Sequence, residues 1–165
     1  MAHDNSGLIT ASQVRKQGIS PGSLQYLLEK GFLEKSGRGV YIIPENLDDE
    51  MVILQTRYKK GIFSLDTALY LFDFTDRTPS QYSMTFPSRY NISHPKEDGI
   101  QCSQVNEEVY QLGITEIKNP NGNKVFSYCA ERTLCDIVKS RNHTDIQIIT
   151  DAFKRYVKTK SRNIP

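Results

Sequence analysis

The sequence predicts an α+β protein, with an N-terminal winged helix-turn-helix followed by a small mixed α+β domain. Three observations predict it. Two short helical patterns are joined by a tight turn, a Gly-rich hairpin pattern follows at once, and strand and helix patterns fill the rest of the chain. The chain has 165 residues, enough for two small domains. We expect a DNA-binding domain over residues 1–46 and an α+β domain over residues 47–165.

The first two helices are marked by their ends. Thr10 is a suitable N-cap for a helix over residues 11–16. Ser20 is the next N-cap, and Pro21 takes the first helical position, where its missing N–H costs nothing. Three leucines then recur at helical spacing, and Gly31 ends this second helix. The pattern is that of a helix-turn-helix.

A hairpin pattern follows the second helix. Residues 32–35 and 40–43 read as short strands around the Gly-rich turn 36–39, and Pro44 ends the second strand. Together with the two helices, this hairpin predicts a winged helix. Winged helices usually carry a further helix ahead of the first one found here, and residues 1–6 are too short to supply it. We therefore expect the chain to be trimmed at its start.

The winged helix suggests how DNA would be bound. The outer face of the second helix suits a major groove, its first amides suit a phosphate, and the cations of the first helix and the wing suit the DNA backbone. Winged helices also serve as protein-interaction modules, and that alternative stays open. The candidate DNA-binding residues are Arg15, Lys16, Ser20, Gly22, Ser23, Gln25, Tyr26, Lys30, Lys35 and Arg38.

The remainder of the chain alternates helices and strands. Helices are expected from Asp48 or Asp49 to Gly61, from Ser64 to the break at Thr78-Pro79, over 130–140 and over 145–158. Strands are expected over 82–86, 100–105, 109–117 and 124–129. The last helix is the most clearly amphipathic, and its apolar stripe is formed by Ile146, Ile149, Ala152, Phe153, Tyr156 and Val157.

The formal net charge of +2 hides a segregated distribution. Residues 1–43 hold five basic and three acidic residues, residues 44–131 hold eight and thirteen, and residues 132–165 hold eight and three. The corresponding net charges are +2, −5 and +5. A mildly basic head and a basic tail therefore flank an acidic middle, so the low total does not argue against nucleic-acid binding.

Several functional classes are disfavoured. No apolar run approaches the roughly 20 residues of a membrane span, and the start lacks the basic and apolar regions of a secretion signal. The three cysteines form no CxxC pair, and the three histidines lack metal-ligand spacing around them. We expect a cytoplasmic protein that binds no metal, no cofactor and no membrane.

The strongest enzymatic alternative is a metal-dependent nuclease. It would use the carboxylates of Asp73, Asp76, Glu131 and Asp136 with Lys139. Against it, the last three of these residues lie on or beside one helix, and no strand carries a paired carboxylate signature. Motifs for phosphate-binding loops, serine hydrolases and zinc proteases are missing from the sequence. We expect no catalytic residues.

Six blocks, in this order, resemble consecutive blocks of one family. They are GRGVYIIPE (37–45), FSLDTALYL (63–71), DRTP (76–79), YSMTFP (82–87), ERTLCDIV (131–138) and AFKRY (152–156). The chain resembles the AbiEi antitoxins of bacterial AbiE abortive-infection (phage-resistance) toxin–antitoxin systems.

The resemblance implies a two-part, non-enzymatic protein. Its winged helix would repress the operon's own promoter, at inverted repeats, through residues 20–30 with Lys35 and Arg38. Its C-terminal domain would counter a toxin that resembles a nucleotidyltransferase, in a type IV system without a stable toxin–antitoxin complex. This second role would fall on the basic C-terminal surface formed by Lys154, Arg155, Lys158 and Lys160.

The chain departs from the family pattern in two respects. The family often has histidines in the block around residues 64–73, where this chain has Leu65 and Phe72. The family also starts with an extra helix and usually continues beyond the position of Pro165. We therefore expect either a natural short form or a trimmed chain.

Overall fold

The computed structural model describes residues 8–42, 49–139 and 144–159. The chain divides into two compact units, residues 1–59 and 60–165. Both units contain helices and strands, so the protein is of the mixed α+β class. None of the helices in the described ranges has the length and apolar character needed to cross a bilayer.

The first unit combines a small sheet with three helices. Its three strands are antiparallel and lie in the order β1-β3-β2, so that the last strand is central. The elements are β1 (Leu8–Thr10), α1 (Ala11–Lys16), α2 (Pro21–Glu29), β2 (Glu34–Gly37), β3 (Val40–Ile42) and α3 (Glu50–Arg57).

Side-chain caps begin both predicted helices. The Thr10 hydroxyl accepts from the amide of Gln13, whose side chain in turn accepts from the Thr10 amide at 2.8 Å, which completes a capping box. The Ser20 hydroxyl accepts from the Ser23 amide at 3.1 Å, at the start of α2. Gly31 follows α2 with φ +73°, a conformation that glycine adopts without strain. The predicted helices at 11–16 and after Ser20 are confirmed.

The third helix belongs to the first unit. Val52 and Ile53 of α3 pack against the buried Val40 and Ile42 of the central strand. The sequence places the domain boundary after residue 46, whereas the structure divides the chain after Lys59. The predicted strand end at Pro44 lies outside the described residues.

The second unit is built on a five-stranded mixed sheet. Its strand order is β6-β5-β4-β8-β7. The pairs β4–β8 and β5–β6 are parallel, and the pairs β4–β5 and β7–β8 are antiparallel. The elements are β4 (Ile62–Phe63), α4 (Leu65–Leu71), β5 (Ser83–Pro87), α5 (Ser93–Glu97), β6 (Gln101–Val105), α6 (Glu107–Gln111), β7 (Ile114–Lys118), β8 (Lys124–Tyr128), α7 (Ala130–Ile137) and α8 (Ile146–Lys158).

Among the described residues, two apolar clusters pack in the interior of this unit. The larger one joins α4, α7 and α8 through residues such as Leu69, Leu134 and Ala152. The smaller one contains Tyr110 and Tyr128, and the Tyr128 hydroxyl donates to the Tyr110 carbonyl at 2.9 Å. Buried hydroxyls must find such partners, because an unsatisfied one costs free energy.

The predicted strand over 109–117 is wrong in its first half. The structure has helix α6 there, and β7 begins only at Ile114. The Asn106 side chain accepts from the Val109 amide at 2.9 Å, and two glutamates occupy the first turn, where the helix dipole favours them. Gly113, at φ +73°, then redirects the chain into β7.

Ser64 precedes α4 as predicted, but its side chain makes no capping hydrogen bond. Its hydroxyl accepts instead from the Thr85 hydroxyl at 2.9 Å in the interior. The next residue, Leu65, has φ +49°, which is uncommon for a residue with a side chain. The start of α4 is therefore held by tertiary contacts rather than by a local cap.

Candidate nucleic-acid interface

The predicted DNA-binding residues all lie in the first unit, and all ten of their side chains or backbone positions are exposed. They come from α1, from α2 with the residue on either side of it, and from the β2–β3 hairpin. Exposure leaves each of them free to meet a ligand from solution.

Helix α2 offers a polar outer face. Its leucines are half-buried, whereas Ser23, Gln25 and Tyr26 on its other side are exposed. The Gln25 amide nitrogen donates to the Glu29 carboxylate at 3.2 Å, and Lys30 Nζ lies 5.9 Å from the centre of the Tyr26 ring. An exposed glutamine amide is the kind of group that pairs with the edge of an adenine.

The hairpin turn 36–39 is fixed to the start of α1. The Ala11 amide donates to the Gly39 carbonyl at 2.8 Å, and Gly39 has φ +74°. Lys35 lies opposite Tyr41 in the strand pair, and Arg38 occupies the turn itself. The hairpin thus carries Lys35 on strand β2 and Arg38 on a turn that is hydrogen-bonded to the first helix.

Five cations of this candidate interface have no acidic partner among the described residues. Within the described ranges, no ion pair involves any of the five, although Arg15 Nε donates to the Ala11 carbonyl at 3.2 Å. Their charges are therefore available to a phosphate backbone. The five cations are Arg15, Lys16, Lys30, Lys35 and Arg38.

The C-terminal basic residues are arranged differently. Arg155 forms a two-bond ion pair with Asp76, and this pairing lowers the pKa of the Asp76 carboxyl. Lys154 lies 3.7 Å from Asp151, Lys158 is exposed, and Lys160 lies outside the described residues. The guanidinium of Arg155 is therefore already paired with a carboxylate within the second unit.

The apolar stripe of α8 is only partly buried. Ala152 and Tyr156 are buried, whereas Ile146, Phe153 and Val157 are 71%, 40% and 50% exposed. The sequence predicts that all of these residues lie on one apolar stripe. Helices α4 and α7 cover only part of that stripe. The helix thus presents exposed apolar side chains beside Lys154 and Lys158.

The carboxylates of the nuclease alternative have separate partners. Asp136 accepts from Lys139 Nζ at 2.5 Å, and the Glu131 carboxylate accepts from the Tyr156 hydroxyl at 2.8 Å. Asp76 pairs with Arg155, as described above. Over the part of the chain that the structure describes, no three His, Cys, Asp or Glu residues are grouped to hold a metal ion.

Comparison with known families gives a match over part of the first unit. A family described as "Transcriptional regulator, AbiEi antitoxin" matches residues 1–44, the segment that holds α1, α2 and the hairpin. This is a family of regulators rather than of enzymes. The comparison with curated proteins gives no match. Over residues 1–44, the resemblance of the chain to the AbiEi-type antitoxins is thereby confirmed.

Proposed function

We propose that the chain is a bacterial antitoxin of the AbiEi type that binds promoter DNA and represses its own operon. The observation that carries the proposal is the match to a family of antitoxin regulators over residues 1–44. The same segment holds the five cations that have no ion pair among the described residues. Promoter binding would place the protein in the cytoplasm.

The first unit is proposed to be a winged helix-turn-helix. Two short helices joined by a tight turn and followed directly by a hairpin support this assignment, as does the strand order β1-β3-β2. In this arrangement α2 is the recognition helix, and the turn 36–39 is the tip of the wing.

Recognition would divide between base reading and phosphate binding. Gln25 and Tyr26 on the outer face of α2 would meet base edges in the major groove. Lys35 and Arg38 would contact phosphates, which fix the position of the protein but carry no sequence information. Each phosphate contact releases counterions, so the logarithm of the association constant should fall by about 0.9 per contact per unit of log salt.

The wing is tested by the double variant Lys35→Ala, Arg38→Ala. Binding to the operon's promoter, with its inverted repeats, is measured by fluorescence anisotropy between low and physiological salt. The salt slope should fall by about 2 and affinity should drop for all sequences alike, because two phosphate contacts are lost.

The matched control is Arg89→Ala, Lys96→Ala, which removes the same two charges from exposed positions of the second unit. It should leave both affinity and slope unchanged. Unaltered promoter binding by the wing variant would show that the wing assignment is wrong. A chain that shows no shift of DNA at low salt, while a protein partner co-purifies with it, would point to an interaction module instead.

The antitoxin role is proposed for the second unit. Lys154 and Lys158 lie on α8 next to exposed apolar side chains, a surface that can contact another macromolecule. The proposed target is the activity of the cognate nucleotidyltransferase-like toxin, countered without a stable complex.

A further inference from the structure

The second unit contains a polar cavity of about 210 Å³. It lies between the start of α4, strands β5 and β6, and helix α7. Its polar walls are formed by Thr85, Ser103, Arg132 and Asp136. None of the functions proposed above uses it.

The floor of the cavity is unusually polar for the inner face of a sheet. Thr85 and Ser103 are register partners on the parallel strands β5 and β6, so their side chains lie next to each other on one face. The Thr85 hydroxyl donates to Ser64, whereas the Ser103 hydroxyl has no hydrogen-bond partner among the described residues. A sheet face covered by helices is ordinarily apolar, and this one offers a free hydroxyl.

Arg132 forms the opposite wall and is held rigidly. Its side chain is only 12% exposed, Nε donates to Asp136 at 2.7 Å, and Nη1 donates to the carbonyls of Val109 and Leu112 at 2.7 and 3.1 Å. The guanidinium also lies 4.5 Å from the centre of the Tyr128 ring. Nη2 has no partner in the part of the chain that the structure describes, so one donor edge of a fixed guanidinium remains available.

The charge at this wall is positive. Asp136 is the only acidic residue among the described residues that line the cavity, and it accepts from both Arg132 and Lys139, the latter at 2.5 Å. Arg132 and Lys139 thus both pair with this carboxylate, and these three groups together carry a net charge of +1 beside a partly desolvated space. Low local dielectric strengthens the attraction of this charge for an anion.

We propose that the cavity binds a small oxyanion, either a carboxylate or a phosphate group, which accepts from Arg132 Nη2 and from the Ser103 hydroxyl. The volume admits such a group with a short remainder, since a water molecule in the liquid takes about 30 Å³. Leu65, with its positive φ, lines the same cavity, and strained residues cluster at ligand sites. The site does not depend on DNA binding by the first unit.

The test titrates the full chain separately with inorganic phosphate and with succinate, at ionic strength held constant by chloride, and follows amide chemical shifts by NMR. Saturable shifts are expected in β6 and α7, and the ligand that saturates at lower concentration identifies the natural group. Absence of saturation by both ligands, or equal shifts with chloride alone, would overturn the proposal.

Variants locate the site. Arg132→Lys keeps the charge but loses the planar fork, and should weaken binding about tenfold or more, because hydrogen bonds to charged groups contribute about that factor. Ser103→Ala, which removes no hydrogen bond among described residues, should weaken it several-fold without affecting the fold. If Ser103→Ala and Arg132→Lys both bind as tightly as the parent, the site is wrongly placed.

A matched pair of lysine variants separates the cavity from general electrostatics. Lys139→Gln and Lys124→Gln each remove one lysine from an ion pair, with Asp136 and Glu116 respectively. Only Lys139→Gln should weaken oxyanion binding, because Lys139 pairs with Asp136, which lines the cavity, whereas Glu116, the partner of Lys124, does not line it. Equal weakening by both would contradict a specific site. Promoter binding, measured in parallel, is expected to stay unchanged in all four variants.

Discussion

Single side chains in the second unit connect elements that are far apart in sequence. Arg132 joins α7 to the end of α6 through two backbone carbonyls and covers the ring of Tyr128 on β8. Tyr128 in turn donates to the Tyr110 carbonyl, and Tyr110 donates to the Lys60 carbonyl at 2.8 Å. Stability at this place depends on a chain of hydrogen bonds rather than on one contact.

These tyrosines predict a loss of stability in alkali. Burial raises the pKa of the Tyr128 hydroxyl, and burial with the nearby Glu107 carboxylate raises that of Tyr110. Above about pH 10 the unfolded chain loses these protons while the folded chain keeps them, so the free energy of unfolding falls as pH rises. Urea unfolding of the parent and of Tyr128→Phe should show a shallower alkaline decline for the variant. Identical declines would remove Tyr128 as the cause.

At the scale of elements, several helices that the sequence predicts correctly are marked by local capping residues. The N-caps Thr10 and Ser20 placed α1 and α2, because a capping side chain acts on its own next few amides. Strand β1 has no local signal in the sequence, since its three residues are specified only by pairing with β3 some thirty positions later. The strand predicted over 109–117 is replaced by helix α6 in its first half, because Asn106 caps a helix there.

Close packing before strand β4 gives a second test. A Cβ built on Gly61 would lie 2.7 Å from Met84 Cε and 3.0 Å from the ring of Phe86, and both side chains are fully buried. Gly61→Ala should therefore lower the free energy of unfolding by about 1–3 kcal/mol, as overpacking does. The control is Gly22→Ala, since a Cβ at Gly22 meets nothing nearer than 3.8 Å. Denaturant unfolding measures both, and equal effects would contradict the packing argument.

At the scale of the whole molecule, the cations differ in their availability. Arg15, Lys16, Lys30, Lys35 and Arg38 of the first unit have no acidic partner among the described residues, whereas Arg155 in the second unit is paired with Asp76. The sequence located both basic regions through their composition. It could not separate free from paired cations, because Asp76 and Arg155 meet only through tertiary folding. The cavity was missed for the same reason, since its walls come from four separate segments.

The two proposed activities should separate by mutation. Lys154→Ala with Lys158→Ala should leave promoter binding and its salt slope unchanged, but should reduce protection when the chain is co-expressed with its cognate toxin. The wing variant Lys35→Ala, Arg38→Ala should show the reverse. Growth assays and anisotropy measure the two activities side by side. Loss of promoter binding in the Lys154, Lys158 variant would show that the units do not divide the work in this way.

The hydrogen bond from the Ala11 amide to the Gly39 carbonyl has a consequence for how specificity can change. It joins the hairpin turn to the first helix through main-chain atoms, which no substitution short of proline at position 11 removes. In the proposed complex, the distance between the phosphates bound by the hairpin turn and those bound by the first helix is therefore set by the backbone. Substitutions on the outer face of α2 can then change which operator sequence is bound, while the length of DNA that the protein covers stays the same.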